Sequence, residues 1–202
     1  CIAKIEGENI VLNDDDEEIT KFTNILHELG SSHPQGITTS DKLVNIMARK
    51  AKVIKNNIVS ALKISEQERS KEDVNLHQYL NGLQKILVHD MTEEQFADFY
   101  AQTITYAMFI ARYNDTDPEN FSLLEVKERI PEDNPFLKKI FSLIAIVEVH
   151  PCIKNVVDDL VMVFRYTDMK KVMKNYGNGT GRKDPILNFY EDFLSEYNPK
   201  FR

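Results

Sequence analysis

The chain has 202 residues, 42% of them hydrophobic and 28% charged, with a net charge of −7 and a pI near 5.3. That length suffices for one sizeable core or two lobes, and the acidity excludes a chain that is basic throughout, as a general nucleic-acid binder would be. Two cysteines exclude a disulfide framework, no run of about 18 apolar residues exists to span a membrane, and few glycines and prolines disfavour a sandwich or barrel; a reducing, cytoplasmic setting is expected.

Residues 1–13 read as an extended segment. Ile2, Ala3 and Ile5, then Ile10-Val11-Leu12, flank Glu6-Gly7-Glu8-Asn9, a pattern for one hairpin or for the end of a preceding domain. From residue 14 to 202 the chain reads as helical. The run Asp14-Asp15-Asp16-Glu17-Glu18 suits a helix N-terminus, where each carboxylate gains roughly 0.3–1 kcal/mol, better than a metal cluster lacking a second ligand group. Ile19, Phe22, Ile25, Leu26 and Leu29 continue that helix to Gly30.

Ser40 is placed as the cap of a long helix from Asp41 to about Ser65, with Leu43, Ile46, Met47, Val53, Ile54, Ile58, Ala61 and Leu62 on its buried side. Lys42, Arg49, Lys50, Lys52, Lys55 and Lys63 gather on the other side. This is the one clearly basic surface of an acidic chain. It reads either as a solvated face or, through Arg49, Lys50, Lys52 and Lys55, as a contact for DNA phosphates or an acidic domain. A further helix runs from Asp73. The capping box Thr92-Glu93-Glu94-Gln95 opens the next, to about Tyr113, apolar nearly all round and so expected in the middle of a bundle. Gln102 and Arg112 are its polar exceptions. Residues 114–120 are turn-rich and mark a possible division into lobes 14–114 and 121–202. Helices are then expected from Ser122 to Ile130, from Pro135 to Val147 and from Cys152 to Tyr166, with a short basic piece over Met169–Tyr176. The glycine-rich stretch 177–183 leads to a last helix. That helix has Asp184 as N-cap, Pro185 at its first position, and Ile186, Phe189, Tyr190, Phe193, Leu194 and Tyr197 as its apolar stripe. The fold class is therefore all-α, a bundle of about eight helices.

Catalytic patterns are wanting. Gly177-Asn178-Gly179-Thr180-Gly181 lacks the Lys-Ser/Thr of a phosphate-binding loop and the spacing of a dinucleotide loop. His27, His33, His77, His89 and His150 lack metal-ligand spacing. Cys152, among Ile153 and Val156, reads as a small core residue in preference to a thiolate nucleophile. No catalytic, cofactor or metal residue is assigned.

Two stretches carry a resemblance. Residues 184–202 fit D-P-(I/V)-x-x-F-Y-E-x-F-L-x-x-Y-(D/N)-P-K-x-R, and Tyr100–Arg112 fits A-Q-T-x-x-Y-(G/A)-x-F-x-A-R. Together they cover about a sixth of the chain. Both resemble the helical region that precedes the N6-adenine methyltransferase domain of single-chain restriction–modification enzymes of the type IIG and type ISP kind. The resemblance implies a non-catalytic linker that couples a nuclease domain to a methyltransferase domain. S-adenosylmethionine and Mg²⁺ would belong to the parent enzyme, DNA and the adjacent domains would be its partners, and Phe189, Tyr190, Phe193 and Tyr197 would dock onto the methyltransferase or onto this domain's own core. The methyltransferase Asn-Pro-Pro-Tyr and its glycine loop are absent from the sequence. The lack of an initiator Met and the abrupt Lys200-Phe201-Arg202 end lead us to expect a piece of a longer protein. The alternative is a stand-alone helical enzyme or partner-binding regulatory module, which a pocket lined by His77, His89 or His150 would favour.

Overall fold

Short polar side chains cap three helices of this chain, at Thr92, Asp168 and Asp184. Thr92 accepts from Gln95 N at 3.2 Å while Gln95 Oε1 accepts from Thr92 N at 2.8 Å, a reciprocal capping box that opens the third helix. Asp184 accepts from Ile186 N at 2.9 Å with Pro185 at the first helical position, as its sequence predicts. The computed structural model describes residues 3–6, 9–12, 20–21, 36–64, 66–86, 89–132, 135–145, 149–174, 176 and 184–198; of the strands and of residues 86, 127, 136 and 143–145 it describes the backbone alone. The acidic run 14–18 and the glycine-rich stretch 177–183 lie outside the described residues.

The chain falls into two compact units, residues 1–35 and 36–202. In the first, β1 (Ala3–Glu6) pairs antiparallel with β2 (Asn9–Leu12), Ala3 opposite Leu12 and Glu6 opposite Asn9, so the hairpin reading holds. The second unit is all-α, with eight α-helices among the described residues: α1 (Ser40–Leu62), α2 (Lys71–Ile86), α3 (Glu93–Tyr113), α4 (Leu123–Arg129), α5 (Pro135–Ala145), α6 (Pro151–Arg165), α7 (Met169–Met173) and α8 (Pro185–Tyr197).

The unit is built around α1 and α3. α1 packs on α3, α8 and α6, and α3 also packs on α4 and α5. Leu43, Met47, Ala51, Ile54 and Ile58 of α1 are fully buried, as are Phe96, Ile104, Ala107 and Phe109 of α3. Alanines at 48, 51, 97, 101, 107 and 111 carry no accessible surface, which lets neighbouring backbones approach closely.

The compact units divide after Gln35, and the segment 114–120 lies within the second of them. Helices on either side of it share one cluster, because α6 and α8 bury their stripes directly on α1. The cap of α1 is Thr39, while Ser40 is its first, buried residue. Val53, expected inside, is 43% exposed: at 100° per residue it points away from the stripe centred on Met47, Ala51, Ile54 and Ile58. α6 begins one residue earlier than expected, at Pro151, with His150 as its N-cap.

The α3–α8 seam is aromatic. Phe109 and Phe189 stack at 4.0 Å with planes 4° apart, and both are fully buried. We therefore expect Phe189→Ala to cost about 3–5 kcal/mol, against under about 0.5 kcal/mol for Leu124→Ala, whose side chain is 90% exposed. Thermal melts followed by circular dichroism check the contrast; equal losses would contradict the seam's place in the core.

Candidate functional site

The basic residues of α1 do not share one face. Arg49 lies near the exposed pole of the helix and Lys52 about 60° to one side of it, while Lys50 and Lys55 flank the buried stripe on opposite sides, as 100° per residue requires. Each flanking lysine meets a carboxylate of this chain: Lys50 Nζ donates to Asp159 Oδ2 of α6 at 2.6 Å, and Lys55 Nζ to Asp98 Oδ1 of α3 at 2.7 Å. Lys52 Nζ donates to Glu196 O near the end of α8 at 3.1 Å. Arg49 is exposed and its Nε bonds back to Asn45 O of its own helix at 3.3 Å. Three of the four expected phosphate contacts thus hold neighbouring helices. Exposed pairs of this kind contribute about 0–1 kcal/mol each, so their effect is orientation more than stability.

Asp98 is the centre of this junction. Its Oδ1 accepts from Lys55 and also from the Tyr197 hydroxyl at 2.8 Å, and its Oδ2 accepts from Gln102 Nε2 at 2.7 Å. One carboxylate therefore joins α1, α3 and the end of α8. Burial first, and then the hydrogen bond to Asp98, push the Tyr197 hydroxyl far above its ordinary value, which keeps it a donor at any working pH. A cleft of about 430 Å³ lies beside it, with Lys52, Asn56 and Asn198 among its walls.

The residues expected to dock α8 are engaged inside this unit. Phe189, Phe193 and Tyr197 are buried, and Tyr190 is half-buried with its ring 4.3 Å from that of Tyr106. Of the two targets the sequence left open, they meet this domain's own core. The two stretches that carry the resemblance, 100–112 and 184–198, therefore face each other.

Two further polar clusters were not foreseen. At the start of α2, Asp73 is buried; Oδ2 accepts from Ser70 N and Ser70 Oγ, both at 2.8 Å, and Oδ1 lies 3.1 Å from His150 Nε2. His150 Nδ1 accepts from Cys152 N at 3.2 Å, so its proton sits on Nε2 and faces Asp73. A cavity of about 390 Å³, lined in part by Lys71, Tyr79, Tyr100 and His150, opens beside this pair. With both nitrogens engaged, His150 has none left to accept a substrate proton, and it ties the start of α6 to that of α2. Burial and then the Asp73 carboxylate push the Cys152 thiol up to about 11, which removes its thiolate at neutral pH.

The other cluster lies at the opposite end of α6. Arg112, buried, donates through Nε to Phe164 O at 2.9 Å, through Nη2 to Thr167 O at 3.0 Å and through Nη1 to Asp115 O at 3.4 Å. It thereby binds carbonyls at the end of α6, where Phe164 O also accepts from Thr167 N at 3.2 Å. Asp115, also buried, pairs with Arg129 of α4.

Only fragments of these sites were legible. Asp98 and Gln102 stand four apart on one helix, which permits their bond. Nothing local announces Tyr197 as the third partner, 99 residues away. Among the described residues no group of three or more His, Cys, Asp or Glu is placed to hold a metal ion, and no helix is long and apolar enough to cross a membrane. Comparisons with protein-family models, curated proteins and solved structures find no match to this chain.

Burial alone would raise the Asp73 carboxyl; the Ser70 bonds and the nearby His150 outweigh it and hold the carboxyl below its ordinary value. A depressed carboxyl stabilises the fold above its unfolded value, about 3.9, and that contribution is lost as pH falls through the folded value. Asp73→Asn should accordingly lower stability at pH 7 by about 1–3 kcal/mol, with the difference from the unaltered chain shrinking below about pH 4. Urea titrations across pH measure it, and a pH-independent offset would contradict this account.

Proposed function

We propose that the chain is a non-catalytic helical linker of a DNA restriction–modification enzyme, coupling a nuclease domain to an adenine-specific DNA methyltransferase domain. The observation that carries this reading is the meeting of the two resembling stretches. Tyr106 and Phe109 of one face Tyr190 and Phe189 of the other, and Asp98, just before the first stretch, receives Tyr197 of the second. Residues that form a motif because they pack together are expected to contact one another in space, and these do.

We assign neither S-adenosylmethionine nor Mg²⁺ to this chain. The sequence holds no Asn-Pro-Pro-Tyr, and the described residues bring no carboxylate cluster together. In this reading both groups belong to the adjoining domains, and the linker holds the spacing between two active sites on DNA. A rigid body suits that role, and α8 is fixed to α1 and α3 by buried aromatics and the Asp98 junction. Of the four cations expected at DNA phosphates, Arg49 is the one whose side chain, among the described residues, bonds only to its own helix, so backbone contact through α1 would centre there.

A second reading, a stand-alone enzyme or partner-binding module, is favoured by the cavity lined by His150. Because both nitrogens of that ring are engaged, the cavity suits binding better than acid–base chemistry.

The full-length polypeptide carrying residues 1–202 decides between them. Incubated with DNA and tritiated S-adenosylmethionine, it is expected to leave N6-methyladenine in the DNA, while residues 1–202 alone leave none. DNA that stays unmethylated with the full-length polypeptide would overturn the linker reading.

A further inference from the structure

A cleft of about 660 Å³ lies where α3 and α6 end, between the turn at 114–118 and the start of α7. Its cations are Arg112, Arg165 and Lys170, and its carboxylates are Asp115 and Asp168. Each carboxylate has a cation of its own outside the lining: Asp115 pairs with Arg129, and Asp168 with Lys171 at 3.1 Å. Asp168 also caps α7 by accepting from Lys171 N at 3.1 Å, and these Lys171 bonds hold its carboxyl below the ordinary value. Arg112 lies close enough to Asp115 and Asp168 to feel both charges, which leaves Arg165 and Lys170 unmatched in a chain whose net charge is −7. Arg112 commits three of its five N–H donors to carbonyls, so it acts in the cleft chiefly as charge. Arg165 uses Nε for Phe121 O at 2.8 Å, and neither it nor Lys170 forms an ion pair among the described residues.

The rim carries two aromatic rings. Tyr113 is 37% exposed and Tyr166 44%, both lining the same cleft. Most other tyrosines of the unit are buried or half-buried: Tyr100 and Tyr197 lie in the core, and Tyr79, Tyr106, Tyr176 and Tyr190 pack against it. Surplus positive charge with accessible flat rings at its edge is the chemistry that holds a phosphate joined to a planar base. An acidic peptide would use the cations and leave both rings unused.

We propose that this cleft binds a nucleotide unit, with Arg165 and Lys170 toward the phosphate and Tyr166, with Tyr113, as the stacking surface for the base. The proposal stands apart from the linker reading and requires no contact through α1. The unit has two sources, an unpaired stretch of a strand or a free mononucleotide, and the experiment separates them.

Residues 1–202 are titrated into a fluorescein-labelled single-stranded DNA hexamer, with fluorescence anisotropy as the readout. Binding is expected, with affinity falling as salt rises. Tyr166→Leu should weaken it about fivefold or more, and Lys170→Glu should weaken it and flatten the salt slope by about one unit or more. Lys63→Glu, on the remote end of α1, should change neither. Competition by millimolar AMP would assign the cleft to a free mononucleotide, and its failure to compete would assign it to a strand. No binding, binding untouched by both cleft variants, or equal competition by a poly-glutamate peptide would overturn the proposal. Circular dichroism of each variant keeps a folding defect from passing as lost binding, and none of these outcomes bears on whether the full-length polypeptide methylates DNA.

Discussion

A single carboxylate, Asp98, joins three helices that the sequence places far apart. It takes Lys55 from α1, Gln102 from its own helix and Tyr197 from the end of α8, while the Phe109–Phe189 stack closes the same seam from inside. The two contributions differ in kind. The stack and its buried neighbours supply most of the free energy, about 1.5–3 kcal/mol for each large apolar side chain taken fully out of water. The hydrogen bonds contribute about 1 kcal/mol each, more with a charged acceptor, and fix how α8 is rotated and where it stops.

The place of α1 follows from that seam. With α3, α6 and α8 all packed on it, its buried stripe is broad, and cations at the edges of the stripe come within reach of neighbouring carboxylates. A helix that looks like a basic surface on its own is, in its setting, a strut whose lysines orient its neighbours. Surplus positive charge remains at the end of α6, where both lining carboxylates are matched by outside partners. Charge placement, more than net charge, separates a structural end of this unit from an end suited to a ligand.

Local chemistry was readable in advance wherever one element sufficed to decide it. The Thr92–Gln95 box, the Asp184-Pro185 start and the three- and four-residue spacing of Phe189, Phe193 and Tyr197 each follow from residues within a few turns, and each stands in the structure. Arg112 shows the limit. Within α3 it is one polar residue on an apolar helix; its purpose appears only when α6 ends beside it and presents the carbonyls of Phe164 and Thr167. His150 is similar. In sequence its ring is free for chemistry; in the fold Asp73, 77 positions earlier, lies against one nitrogen. A turn-rich stretch such as 114–120 likewise marks a change of direction and does not by itself say whether the helices beyond it form a second core; here buried residues on both sides belong to one cluster.

Hydrogen exchange of the native chain, resolved by residue, tests most directly that α8 belongs to the core of residues 36–202. If it does, amides in the middle of α8, around Phe189 to Phe193, exchange only with global opening, at the same free energy as the central amides of α1 and α3. Exchange in α8 at a much lower free energy, with α1 and α3 still protected, would contradict the account and make α8 a loosely held element awaiting another domain.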